Sequence, residues 1–325
     1  MELICPAGTP AAYREAAIAG ADAIYCGFRD ETNARNFPGL NFTRAELAET
    51  IDYGRSRGVR TFVAINTFMR AGDEAPWYRA VDDAVALGAD ALILADVGLM
   101  AYSANHHPKQ RLHVSVQASA SSADAVRFLT DLCGARRVVL PRVLTIPDIA
   151  ALAREIPAEI EAFVFGGLCV MAEGRCSLSS YATGKSPNMQ GVCSPASHVH
   201  YEEDGGNLVS KLGDYTINRF SQGEAAGYPT LCKGRFVVAD TPGYAFEDPI
   251  SLDVMEHVDD LQRAGVTALK IEGRQRGKAY VARVVSTLRR ALITPPEQRP
   301  ALLAELRSMS EGQRTTAGAY EKKWR

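Results

Sequence analysis

Residues 43–65 read TRAELAETIDYGRSRGVRTFVAI, and this stretch decides the fold. Thr43 followed three residues later by Glu46 is a capping-box pattern that opens a helix. Leu47 and Ile51 then share one helical face. Gly58 ends the helix, and Thr61–Ile65 follows as a short run rich in β-branched and aliphatic side chains. Such a run is expected of a strand buried on both faces. A helix leading through a glycine into a doubly buried strand is one unit of a parallel α/β sheet.

The same unit recurs outward in both directions. Apolar runs occur at Glu2–Cys5, Ala23–Cys26, Ala91–Ala95, Leu112–Val116, Arg137–Leu140, Ala162–Phe165 and Val266–Ile271. Helical stretches separate them. Trp77–Ala89 and Ser121–Gly134 each close near a strand, and Thr145–Ile156 carries Pro147 in its first turn, where proline is tolerated. Ser251 is expected to cap a helix presenting Val254, Val258 and Leu261, and Lys278–Leu292 repeats apolar residues at helical spacing.

Eight strand–helix units predict an α/β fold, a (β/α)8 TIM-type barrel, with a doubly wound open sheet as the alternative. The rhythm breaks only at about residues 166–245, a cysteine-bearing insertion after strand seven. Residues 1–293 then form the barrel domain and 294–325 a C-terminal extension ending near Trp324. In a barrel the positions just after each strand face the site: Pro6, Gly27, Asn66, Asp96, Gln117, Arg142, Gly167 and Glu272.

The chain has 325 residues, 46% hydrophobic and 23% charged, with a formal net charge of −2. That near-neutral balance argues against a nucleic-acid partner. The N-terminus MELICPAGTP has no basic leader pattern, and no apolar run is long enough to span a bilayer, so a cytoplasmic protein is expected.

Seven cysteines with no export signal argue against a disulfide framework. Cys5, Cys26 and Cys133 fall on apparent strands or a helix end and read as buried thiols. Cys169, Cys176, Cys193 and Cys232 all lie in the irregular segment, with six, sixteen and thirty-eight residues between successive members. Glycines nearby suit a loop that wraps a cluster. No tight C-x2-4-C pair exists, which disfavours zinc without removing it, and plain loop thiols are the third reading. The six histidines form no metal-hydrolase pattern, and His113 on a strand reads as a core residue. There is no G-x-S-x-G elbow, P-loop or dinucleotide fingerprint.

Glu161-Ala-Phe-Val-Phe-Gly-Gly-Leu-Cys169 followed by Gly174-Arg-Cys176-Ser-Leu-Ser179 resembles the signature of the collagenase-like peptidase family. It departs at Gly167, where that family usually carries Ser or Ala. Further segments are similar to the family's ubiquinone-biosynthesis branch: Met1–Gly8, Thr32–Arg35, Gly39–Phe42, Gly88–Asp96, Val114–Ser119, Val138–Val143, Gly227–Arg235, Lys270–Arg276 and Ser308–Gly312.

The resemblance implies a [4Fe–4S] cluster on Cys169, Cys176, Cys193 and Cys232. It implies an oxygen-independent, anaerobic hydroxylase acting on the aromatic ring of ubiquinone precursors, with prephenate as oxygen donor. The implied partners are a UbiV-like iron–sulfur chain, as heterodimer, and a sterol-carrier-type lipid-binding accessory protein. Base hydroxylation of tRNA or rRNA, peptidase activity and a purely electron-carrying subunit are the competing readings.

A donor with two carboxylates calls for arginine, which binds carboxylate bidentately. Arg142, Arg274 and Arg276 follow apparent strands six and eight, and Arg142 with Arg274 is the expected clamp. Glu272 is the candidate acid or base, or the counter-charge that holds the arginines. Asn66 and Gln117 are candidate donors to substrate oxygens or organisers of their loops.

Overall fold

The computed structural model describes residues 1–169, 171, 174, 176–310 and 314–321. Trp324 and part of the 308–312 segment lie outside the described residues. The chain alternates β1 (Glu2–Pro6), α1 (Pro10–Ile18), β2 (Ala23–Cys26), α2 (Arg44–Arg55), β3 (Arg60–Ile65), α3 (Ala75–Ala86), β4 (Ala91–Leu94) and α4 (Val97–His106). It continues with β5 (Leu112–Val114), α5 (Ala123–Cys133), β6 (Arg137–Val139), α6 (Ile146–Ala153) and β7 (Glu159–Gly167).

The segment after β7 holds α7 (Leu178–Thr183), a three-stranded antiparallel sheet and a hairpin. The sheet comprises β8 (Val199–Asp204), β9 (Asn207–Leu212) and β10 (Tyr215–Phe220); the hairpin pairs β11 (Arg235–Val238) with β12 (Thr241–Tyr244). Then come β13 (Ser251–Asp253), α8 (Val258–Arg263), β14 (Val266–Ile271), α9 (Lys278–Ile293), α10 (Pro300–Ser308) and β15 (Thr315–Thr316).

Among the described residues, eight parallel strands, β1–β7 and β14, close on themselves. β14 pairs with β1 on one side and β7 on the other, Leu269 lying opposite Leu3 and Ala162. The expected TIM-type barrel is therefore present. The open-sheet alternative fails at the β14–β7 ladder, which an open sheet lacks.

The local signals act as read. Thr43 and Thr145 cap α2 and α6 with reciprocal capping boxes, and Pro147 sits in the first turn of α6. Apolar faces of the outer helices meet the strands in one continuous core. Ile4, Ala23, Tyr25, Phe62, Ala64 and Ile93 fill the barrel interior itself.

Ser251 does not cap a helix. It lies in β13, which runs antiparallel to β7 with Ser251 opposite Gly167, and helix α8 begins only at Val258. The edge of β7 needs backbone partners, and that demand overrides the helical spacing of Val254, Val258 and Leu261. The C-terminal segment returns to the same place: β15 pairs with β13, and the Tyr320 hydroxyl donates to the Phe163 carbonyl at 2.8 Å.

Beneath the mouth, charged residues plug the barrel. Lys270 Nζ meets Glu161 Oε1 at 2.5 Å, and Arg137 Nη1 donates to Glu161 Oε2 at 3.2 Å. Arg137 also binds Glu159 and Glu2, at 2.6 and 2.7 Å. His113 accepts from Arg111 Nε at 2.9 Å. Burial, reinforced by Arg137, pushes its imidazole well below the usual histidine range, so it is a neutral core residue as expected. No helix among the described residues is long and apolar enough to cross a membrane.

Candidate functional site

A cavity opens at the carboxyl ends of the barrel strands. Asn66 after β3, Gln117 after β5, Arg142 after β6, and Glu272 and Arg274 after β14 all line it. The five residues named from sequence are thus brought together. Sequence reasoning missed Arg35, Tyr25 and Lys270, which line it too.

Arg35 comes from the loop after β2. Its Nε donates to Glu272 Oε1 at 3.2 Å. Asn33, fully buried, fixes that loop: its Oδ1 accepts from Arg35 N at 2.9 Å and from Arg274 Nη1 at 3.2 Å. Asn66 Oδ1 accepts from Ala34 N at 3.0 Å, and its Nδ2 donates to Ser115 Oγ at 3.1 Å. Asn66 therefore pins the β2 loop to the β5 loop, which is the organising role.

Burial alone would raise the Glu272 carboxyl. Arg35, Arg142 and Arg274 together outweigh it and hold the group below the usual glutamate range. Glu272 is thus held toward its ionised form among three guanidinium groups. Arg142 Nη1 donates to the Gly167 carbonyl at 2.7 Å, and its guanidinium lies 4.2 Å from the Phe163 ring centre. Arg274 Nε is buried and has no hydrogen-bond partner among the described residues. A buried donor without an acceptor is costly, and Arg274 itself lines the cavity.

Arg276 is not among the residues lining the cavity; its guanidinium sits 5.2 Å from the Tyr280 ring centre. Asp96 departs from expectation as well. Its carboxylate caps α4 through Leu99 N at 3.0 Å and accepts from Met69 N at 3.2 Å. Pro6 and Gly27 act as packing positions, against Gly273 and Asn33.

The cysteine segment docks on this mouth. Gly191, at φ +76°, approaches so closely that a Cβ would lie 2.1 Å from the Asn33 carbonyl oxygen. Gly174, at φ +74°, does the same to the Gln117 carbonyl, at 2.0 Å. Only glycine combines that backbone with that approach. Asn36 N donates to Gly191 O at 3.1 Å and Phe68 N to Asn188 O at 2.9 Å.

Within the segment, Asn188 Nδ2 donates to Cys176 O at 3.0 Å and Ser179 Oγ to Cys193 O at 2.6 Å. Helix α7 packs on the turn Leu231–Lys233 that carries Cys232. Burial pushes the Cys193 thiol up; Arg35 opposes this, and the neighbouring Cys232 and Cys176 add to it. Arg35 also feels Cys169.

Cys193 is thus near enough to Cys232, Cys176 and Arg35 to feel each of them, and Arg35 feels Cys169 as well. Among the described residues no three His, Cys, Asp or Glu side chains are close enough to hold a single metal ion. Thiols around a cubane stand further apart, because iron and sulfide lie between them, and a soft four-thiol donor set fits such a group. Cys5, Cys26 and Cys133 are buried, as expected of structural thiols.

The chain is similar to several known proteins. The chain is 34% identical over 310 residues to the tRNA hydroxylation protein P of Escherichia coli, covering 90% of this chain and 67% of that protein. It is 30% identical over 304 residues to the 23S rRNA 5-hydroxycytidine C2501 synthase of the same organism, covering 92% of this chain but 40% of that one. The solved structure of the U32 peptidase Mk0906 aligns with a TM-score of 0.42 and 18% identity, over 50% of this chain and 68% of that chain. The profile of peptidase family U32 matches residues 8–323, barrel mouth and cysteine segment included, and the chain belongs to that family.

Proposed function

We propose that this chain is the iron–sulfur subunit of an oxygen-independent hydroxylase, a UbiU-type protein acting on the aromatic ring of ubiquinone precursors under anaerobic conditions. The observation that carries the reading is the placing of Arg35, Arg142, Arg274 and Glu272 at one barrel mouth, with Arg35 close enough to feel Cys193 and Cys169 of the cysteine segment. The names of the relatives support hydroxylation as the reaction class.

Cys169, Cys176, Cys193 and Cys232 would hold a [4Fe–4S] cluster, which supplies one-electron transfer when bound. The other residues bind and orient. Arg142 and Arg274 clamp the two carboxylates of prephenate, the proposed oxygen donor, and the buried Arg274 Nε gains its missing acceptor. Glu272 stays ionised and keeps the guanidinium groups apart and aligned. Phe163 and Tyr25 give the cavity an aromatic floor. Burial raises the Tyr25 phenol well above its usual range, so it stays neutral. A UbiV-like chain and a sterol-carrier-type lipid carrier complete the proposed assembly.

Base hydroxylation of RNA is the second reading, favoured by the names of those relatives. Loss of the gene separates the two. The quinone reading predicts loss of ubiquinone in anaerobic growth only, with RNA nucleosides unchanged. Loss of a hydroxylated nucleoside with ubiquinone intact would establish the RNA reading instead.

A further inference from the structure

Among the described residues, Lys270 is the one lysine that lines the mouth cavity. It stands near the end of β14 and is 4% exposed. Its Nζ lies 2.5 Å from Glu161 Oε1 and 3.9 Å from the centre of the Tyr25 ring. The ion-pair network beneath it balances without it. Glu2 pairs with Arg60 at 2.8 Å and with Arg137; Glu159 pairs with Arg111 at 2.6 Å and with Arg137; Glu161 pairs with Arg137. Three carboxylates thus meet three guanidinium groups, and the lysine adds a further cation. The mouth is cationic as well, with Arg35, Arg142 and Arg274 around Glu272. Burial, helped by Arg274 and Arg137, brings the ammonium below the usual lysine range against the pull of Glu161. A lysine desolvated beside other cations is a nucleophile.

The lysine also stands within the arginine clamp. Lys270 and Arg274 share the Tyr25 ring, at 3.9 and 5.4 Å from its centre, and Lys270 and Arg142 share the Phe163 ring, at 5.9 and 4.2 Å. We infer that Lys270 forms a reversible imine with a 2-oxo acid whose carboxylate Arg142 and Arg274 hold. Nζ bonds to the carbonyl carbon, and the carbon–oxygen bond breaks. Two protons of the ammonium leave with that oxygen as water; the nitrogen keeps one proton and the positive charge. Glu161 is placed to carry a proton from nitrogen to oxygen, and it remains the counter-ion of the iminium. Prephenate carries a 2-oxo carboxylate, so the inference rests on the donor proposed above and names the group that the pocket grips.

The test is reductive trapping. The anaerobically purified full chain is incubated with sodium cyanoborohydride and pyruvate, prephenate, lactate or acetone, then digested and mapped by mass spectrometry. Pyruvate should add a carboxyethyl group to Lys270 ahead of the exposed Lys109. Lactate, which has no carbonyl, should add nothing, and acetone, which has no carboxylate, should label far less than pyruvate. Lys270→Arg, which keeps a cation beside Glu161, should lose the label. Arg142→Gln should lower it about tenfold at limiting pyruvate, the equivalent of one charge-assisted hydrogen bond. Peptide mapping of the wild type carries the test even where a variant fails to fold. No label on Lys270, a label spread evenly over exposed lysines, or equal labelling by acetone overturns the inference. Labelling of Lys270 by pyruvate but not by prephenate would keep the imine and sink the proposed donor. A chain that hydroxylates with prephenate but never labels would sink the imine alone, so the two failures are distinguishable.

Discussion

Arg35 Nε and Glu272 Oε1 meet at 3.2 Å although 237 residues separate them in the chain. One stands on the loop after the second strand and the other at the end of the eighth. Their pairing bridges over β1, the strand between β14 and β2, beside Cys193 and Cys169. Glu272 is buried and Arg35 half-buried, so the pair serves geometry more than net stability, and leaving either charge alone is costly.

Glu272→Gln should therefore destabilise the protein by about 3 kcal/mol at neutral pH. The folded carboxyl sits below the usual glutamate range. Its contribution is present above that range and is lost as pH falls through the depressed folded value. Urea unfolding from about pH 7 down to about pH 3 should show a steep acid loss in the wild type and a shallower one in the variant. Equal stability and equal slope would mean that the carboxylate is not the counter-charge of the arginines.

Gly191→Ala should undock the cysteine segment. The added Cβ would lie 2.1 Å from the Asn33 carbonyl, at a backbone φ of +76°. Strain of this kind costs about 1–3 kcal/mol before the clash is counted. Gly227→Ala is the control, since nothing lies within 4 Å of its added carbon. Iron content after anaerobic purification should fall in the first variant and hold in the second.

Arg142→Lys keeps the charge but loses the fork that binds carboxylate at two points. Prephenate binding should weaken by about 10- to 100-fold, the equivalent of one strong charge-assisted hydrogen bond. Isothermal titration of the variant checks this. Unchanged affinity would remove Arg142 from the clamp.

Arg137→Met tests the plug beneath the site. It leaves Glu161, fully buried, with Lys270 as its remaining cation. A loss of about 3–5 kcal/mol in chemical denaturation is expected. A mouth pocket built on a fixed floor should also lose activity; retained activity in a destabilised chain would show that floor and pocket are uncoupled.

The barrel was legible because doubly buried parallel strands are apolar along their whole length, and the capping boxes at Thr43 and Thr145 mark where helices begin. Arg142, Glu272, Arg274 and Gln117 followed from their positions just past strand ends. Ser251 misled because antiparallel pairing with Gly167 is a tertiary fact that local spacing cannot carry. Arg35 was missed because a long loop brings it back over the mouth. Lys270, Glu161, Arg137 and His113 carried a usable signal: each is ionisable inside an otherwise apolar strand. In a barrel such residues point inward and must find one another. The cysteine segment stood out by clustering and resemblance, whereas its seating on Asn33 and Gln117 depends on two glycine contacts visible only in three dimensions.

The most direct test is the cluster itself. The chain and its Cys176→Ala variant are purified anaerobically, iron and acid-labile sulfide are counted, and the reduced-state EPR spectrum is recorded. The account predicts a brown, reducible protein with about four iron and four sulfide per chain, lost in the variant. A colourless protein carrying zinc or no metal would contradict it, and the hydroxylase reading would fall with the cluster.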